Sequence, residues 1–339
     1  MAMACIRGTY MNQIDGFMEL LQKLLAGDVN GACMDMLAGV KAALLSSISE
    51  NQEYLIALLS VAVLAAFFTN LTSAFGGGLL GEQGFYVSFV LIFTLAIKAF
   101  GVFFSVAEDV VRQILEVMQL LVPAYIVSVT GAAGSITGTA AYELICLVLT
   151  CIQYGVLYIM FPLLQTFFLF QFINQLNEEQ YFTRWIALIK DLIGWGLKMI
   201  TVFVVGMHLL KGMITPVLDS VKVGMVQKGI NAIPGGSFVA AFTGVFLGCS
   251  ILIKNSIGVA GILILLGIVA VPFVQMGVMV VSYYVLAALL EPILDKRLIK
   301  AISGMAEAAT LTFRTAFTSV VLLIVSIAMI ASCTNMRWS

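Results

Sequence analysis

The sequence predicts an all-α polytopic integral membrane protein, with about six crossing helices and two re-entrant hairpins built from two tandem repeats. Three observations predict it. The 339-residue chain is 61% hydrophobic and only 10% charged, with a mean hydropathy of +1.08, whereas a soluble domain carries roughly 25% charged residues. Apolar runs long enough for a bilayer crossing, which takes about 20 residues, recur along the chain. Two of the apolar stretches are interrupted by Pro and Gly at corresponding places, and such breaks are tolerated at membrane depth only where protein or a watery cavity satisfies the freed backbone groups.

The start, MAMACIRGTYMNQ, does not read as a signal peptide, because no apolar stretch follows Arg7; either none is needed or one has been removed. Residues 11–48 read as two short amphipathic helices. Ile14, Phe17, Met18, Leu21 and Leu25 fall at helical spacing, and Gly27-Asp28 and Asn30-Gly31 separate them from Met34 to Ile48. Both are too short to span, so they lie on the membrane surface or pack against the bundle.

Tyr54–Phe75 is the first crossing, a glycine-rich loop covers 76–84, and Phe85–Ala107 is the second crossing. Residues 108–123 form an amphipathic linker ended by Pro123. VPAYIVSVTGAAGSITG (122–138) is too short and too rich in Gly, Ser and Thr for an ordinary span, and reads as the first hairpin. Ala140–Phe172 is a long apolar helix containing Pro162, and Trp185–Ile214 is the next crossing. Pro234-Gly235-Gly236 then opens the second hairpin, 234–255, followed by a crossing broken at Pro272 and by a last helix at Leu311–Ser332. The resulting layout is an interfacial segment (1–53), a first crossing and loop (54–84), repeat 1 (85–190), repeat 2 (191–304) and a last crossing with tail (305–339).

The repeats align at an offset of 110: Asp109 with Asp219, Arg112 with Lys222, Gly134 and Gly138 with Gly244 and Gly248, and Pro162 and Gln165 with Pro272 and Gln275. Three of these six identities or near-identities are Gly or Pro, Pro123 and Pro234 pair one insertion away, and the order of parts agrees as well. Paired Gly/Pro-interrupted segments in two halves point to a substrate path in transporter-like folds. The candidate path residues are therefore Pro123, Gly131, Gly134, Gly138, Pro234, Gly235, Gly236, Gly244, Gly248, Lys254 and Asn255. Each G-x-x-x-G also serves plain helix packing, and Lys254 equally reads as an interfacial residue reaching for water. Arg184 and Lys190, and Lys296, Arg297 and Lys300, place both turns after the repeats in the cytoplasm.

Lys98, Gln165, Asp191, Lys198, His208 and Gln275 are candidate intramembrane polar residues. Asp191 and Lys198 share a helix face and read as an ion pair inside the bundle. Glu291, Asp295, Lys296 and Arg297 form a turn that docks a partner or caps a helix. Trp185 and Trp195 are candidate interfacial anchors.

Enzyme signatures are absent: no P-loop, no H-E-x-x-H and no EF-hand loop. His208 is the only histidine, which excludes a multi-histidine metal site within one chain. No catalytic residue, metal or cofactor is expected. The net charge of -1 and the lack of a dense basic run argue against nucleic acid. The six cysteines are scattered without a C-x-x-C pair, and only Cys5 and Cys33 would pair, if they face an oxidising compartment.

LVPAYIVSVTGAAGSIT (121–137), FPLLQ (161–165), AIPGGSF (232–238), LIKNSIGVAGILILL (252–266) and LAALLEPILDKRLIKAI (286–302) carry a resemblance to the stage III sporulation protein AE family of endospore-forming bacteria. The resemblance implies a multi-pass component of the sporulation channel, in the mother-cell membrane that surrounds the forespore. It implies partners from the same operon and one forespore membrane protein, and no catalytic residue. The expected function is a permease-like part of that channel, with a stand-alone secondary transporter and a structural platform as alternatives. A homo-oligomer is compatible with all three.

Overall fold

In the computed structural model the chain is described over residues 78–133, 136–176, 179–231, 265–267 and 269–332, with isolated helical positions between 34 and 67. Side chains are described over 83–119, 146–176, 179–207, 209, 265–267 and 269–328, and at those isolated positions. Every regular element among these residues is helical. In chain order they are α1 (Gly78–Ala133), α2 (Ile136–Gly155), a π-helical turn (Val156–Met160), α3 (Phe161–Leu176), α4 (Thr183–Asn231), α5 (Leu265–Leu290) and α6 (Lys296–Ser332). Among the described residues, four stretches are long and apolar enough to cross a membrane: Gln83–Gln119, Cys146–Leu176, Leu265–Leu290 and Lys296–Ala328. The expected crossing at Trp185–Ile214 is helical throughout, but α4 carries Lys190, Asp191 and Lys198 and is not among the four. The expected first crossing, Tyr54–Phe75, lies largely outside the described residues, as do both amphipathic N-terminal helices.

Several boundaries differ from the sequence reading, all in the same direction. The loop expected over 76–84 is already helix from Gly78, and Pro123 does not end the linker, because α1 runs 56 residues to Ala133. Likewise α4 passes Ile214 and Pro216 to reach Asn231, and α6 starts at Lys296 rather than Leu311. An interior proline removes one helical hydrogen bond and crowds the carbonyl four residues back. Ending the helix instead would strand the orphan N–H and C=O groups of a whole terminus, which is worse where water is scarce. Continuation through the proline is therefore the smaller loss.

Pro162 shows how one such break is absorbed. It cannot donate to the carbonyl of Tyr158, and the five residues immediately before α3 form the π-helical turn. The wider turn removes the contact between the proline ring and the preceding carbonyl, and the helix re-forms beyond it.

The described residues fall into two compact units. The first takes the chain up to Val110, Val156–Trp195 and Gly267–Phe317; the second takes Val111–Gly155, Gly196–Leu266 and Thr318 onward. The first unit is packed by aromatic rings. Phe100 of α1 lies parallel to Phe168 of α3 with centroids 4.1 Å apart, and Phe104 meets Phe161 edge-on at 5.1 Å. Phe93 meets Phe172 at 5.1 Å, so residue number falls along α1 as it rises along α3, and the two helices are antiparallel. Tyr283 of α5 is fully buried against Phe103 and donates its hydroxyl to the Ala99 carbonyl at 3.1 Å. Lipid is as apolar as these side chains, so close packing and satisfied hydrogen bonds, rather than escape from water, hold such helices together.

The connection from α3 to α4 is tied by one buried amide. Asn174 accepts from the Phe182 N–H at 2.8 Å and donates to the Thr183 hydroxyl at 3.2 Å. That hydroxyl in turn donates to the Gln180 carbonyl at 2.9 Å. Gln180 itself holds φ at 47°, the left-handed region that a non-glycine residue adopts only under such constraint. At the other polar turn, Asp295 accepts from the Arg297 N–H at 2.8 Å and caps the first turn of α6.

Candidate functional site

Two clusters of polar side chains lie among the apolar helices. The first belongs to the first unit. Glu307, the sole acidic residue of α6, accepts from the Gln171 amide of α3 at 2.9 Å and from the Lys190 ammonium of α4 at 2.5 Å. Three helices are thus joined through one carboxylate. Gly304, one turn before Glu307, makes the approach possible: a Cβ there would lie 3.0 Å from Gln171 Cβ and 3.1 Å from its Cδ and Oε1. Gln171 is nine-tenths buried, whereas Lys190 remains half exposed. The charge at Glu307 is therefore matched on one side by a neutral donor within the protein and on the other by a cation that still reaches outward.

The second centres on Gln153 and Ser319, both of the second unit. Thr312, Thr315, Ser319 and Ser326 are buried along one 3–4 spaced stripe of α6. Thr312, Thr315 and Ser326 donate to carbonyls four residues earlier on the same helix. The Ser319 hydroxyl makes no hydrogen bond. Its carbonyl instead accepts from the Gln153 amide of α2 at 3.1 Å, and the Gln153 Oε1 is also without a partner. Both residues are at least 98% buried. One amide oxygen and one hydroxyl are therefore both unmatched at one α2–α6 contact, where an unmatched polar atom costs roughly 1–3 kcal/mol. An amide oxygen that accepts and a hydroxyl that both donates and accepts suit a water molecule or a small polar solute.

The residues singled out by sequence fall as follows. Pro123 and Gly131 are in the helical backbone of α1 and Gly138 is in the first turns of α2. Gly134, Pro234, Gly235, Gly236, Gly244, Gly248, Lys254 and Asn255 lie outside the described residues, as does the side chain of His208. Gln165 is exposed and Gln275 half-buried. Lys98 is exposed on α1.

The expected internal ion pair of Asp191 and Lys198 does not form. Both are exposed on α4, two helical turns apart, roughly 10 Å along the axis. The cation that enters the bundle is Lys190, one position away, because it alone points toward Glu307. At the 291–297 turn, Asp295 is the helix cap, Arg297 lies over the Phe85 ring at 3.8 Å, and Glu291 and Lys296 are exposed. In the α3–α4 connection the Tyr181 hydroxyl donates to the Glu179 carboxylate, which raises the phenol pKa above its ordinary 10.0.

Glu307, Gln171, Gln153 and Ser319 were not singled out by sequence. A signal existed for Glu307, since a lone carboxylate in a long apolar helix is by default a functional candidate. Nothing in the linear pattern joins Gln153 to Ser319 across 166 positions.

The Stage III sporulation protein AE family matches this chain over residues 16–334. The chain is also similar to Stage III sporulation protein AE of Bacillus subtilis (strain 168), at 20% identity over 277 residues, covering 80% of this chain and 69% of that protein. No solved structure matches.

Proposed function

Because the chain belongs to the stage III sporulation protein AE family and acts in sporulation from a membrane, we propose that it is the membrane-embedded, permease-like component of the channel between mother cell and forespore. On this reading it sits as a multi-pass protein in the mother-cell membrane around the forespore, beside other stage III channel proteins. It offers a path for small solutes or a protein segment and catalyses no reaction. The observation that carries the transport part is the pair of unmatched polar groups, the Gln153 Oε1 and the Ser319 hydroxyl, buried at one helix contact. A purely structural core gains nothing by leaving two such atoms unmatched.

The test replaces both together, Gln153→Leu with Ser319→Ala, in sporulating cells. The pair of changes removes two unmatched polar groups together with the amide bond to the Ser319 carbonyl, opposing effects that leave stability close to the parent's. On the transport reading, membrane levels of the protein stay normal while late forespore gene expression and heat-resistant spore counts fall at least tenfold. Normal spore counts at normal protein levels defeat that reading and favour a platform that recruits other channel subunits. A stand-alone secondary transporter instead predicts solute uptake by vesicles containing this protein alone. For the segments 122–138 and 234–255, cysteine accessibility from one side of the membrane supports re-entrant hairpins, and uniform inaccessibility supports packed helices.

A further inference from the structure

Lys98 and Asp191 are opposite charges left exposed on two apolar helices of the same unit. Neither has a hydrogen-bond or ion-pair partner among the described residues. Lys98 stands on an outward face of α1 with Val87, Val90, Leu91 and Ile97, and Asp191 stands on an outward face of α4 with Leu188, Leu192 and Trp195. A lysine stem can carry its charge some distance toward water. An aspartate is too short to do so, and an unpaired carboxylate on an otherwise apolar face calls for a cation from outside the chain.

The hydrogen-bond ladder inside the unit places the two charges at one depth. Ala99, next to Lys98, is held by Tyr283. The adjacent Tyr284 accepts from Thr310 at 3.2 Å, and Thr310 lies three residues beyond Glu307, which holds Lys190 next to Asp191. A second route agrees: Phe100 stacks on Phe168, and Gln171, one turn further along α3, bonds Glu307. Counting residues along either route leaves Lys98 and Asp191 within about one helical turn, ~5 Å, of the same level. The buried sides of the two helices face different neighbours, since α1 packs on α3 and α5 while α4 is tied to α6.

Copies of a membrane protein that associate symmetrically do so about an axis along the membrane normal, because the chain inserts in one orientation. Rotation about that axis preserves depth. Two charges can therefore meet across such an interface only if they already lie at the same level on one chain, and Lys98 and Asp191 meet that condition. We propose that this chain self-associates in the membrane with the α1 face of one copy against the α4 face of the next, Lys98 paired with Asp191 of the neighbour. The contact joins unlike residues, so it forms either twice across a two-fold axis or once per step around a ring of copies. This inference does not depend on the transport reading.

The test uses the full-length chain, with its six native cysteines replaced, co-expressed as two differently tagged copies. One copy carries Thr94→Cys on the α1 face and the other Leu188→Cys on the α4 face, which leaves both charges intact. Oxidation in membranes is expected to cross-link this mixed pair at least tenfold more than a pair carrying Thr94→Cys on both copies. In parallel, co-purification of the two tags is expected to fall at least tenfold when all copies carry Lys98→Asp, and likewise with Asp191→Lys. It returns to within about twofold of the parent when every copy carries both changes. Thermal midpoints of the purified variants separate lost association from lost folding, and the charge-preserving cross-link stands even if a charge variant misfolds. Cross-linking no stronger than the control pair, or co-purification indifferent to charge reversal, overturns the proposal. The second result would assign Asp191 to a lipid amine or to a different protein.

Discussion

Gly304→Ala isolates the close approach on which the Glu307 junction depends. The added methyl would stand 3.0 Å from Gln171 Cβ and 3.1 Å from both its Cδ and Oε1. The Cβ is fixed to the α3 backbone, and the amide is held by Glu307, so the side chain cannot swing aside without giving up that bond. Relief requires α3 and α6 to separate by several tenths of an ångström, and overpacking of this kind costs roughly 1–3 kcal/mol. Alanine is intrinsically better than glycine in a helix interior by about 1 kcal/mol. The net expectation is a loss of roughly 0–2 kcal/mol, with the steric term the larger.

Gly277→Ala on α5 supplies the control, because a Cβ there meets nothing within 4 Å. It should be neutral or stabilising by up to about 1 kcal/mol. The assay is thermal unfolding of the purified protein in one detergent, with the two variants compared side by side. A double variant, Gly304→Ala with Gln171→Ala, removes the clash and should recover part of the loss, giving a coupling of about 0.5–3 kcal/mol. If Gly304→Ala melts at or above Gly277→Ala, or if the coupling is zero, the argument from the Gly304 contact fails.

Two further outcomes follow from the polar contacts. Glu307→Leu leaves the Gln171 amide and Lys190 without their acceptor, so it should destabilise by about 1–3 kcal/mol; Glu307→Gln, which can still accept from either donor, should lose less in the same melting assay. Asp295→Ala removes the cap that takes the Arg297 N–H, with an expected loss of about 1 kcal/mol and faster amide exchange in the first turn of α6 as the readout.

The sequence by itself determined the class of protein. A chain with this little charge and this many apolar runs has no arrangement available that leaves its backbone satisfied in lipid except helices or a closed barrel, and its runs are long enough for helices. The polar turn at 291–295 was legible as well, since proline chemistry acts locally; the π-helical turn before Pro162 was not. Family membership was legible in short motifs between residues 121 and 302, and the family match extends over residues 16–334.

Helix ends were less legible. Propensity and proline placement argued for stops near 107, 123 and 214, while α1 and α4 run on. In apolar surroundings, neighbouring helices and the missing water make continuation the lower-energy choice, and this term is invisible in a local window. The tertiary structure alone decided which charged groups enter the bundle. Helical spacing put Asp191 and Lys198 on one face without saying where that face points, and the bundle turned it outward and brought Lys190 to Glu307. Neighbourhoods such as Glu307 with Gln171, or Gln153 with Ser319, join residues 136 and 166 positions apart. They exist only because helices pack side by side, which no pattern along one strand of sequence encodes.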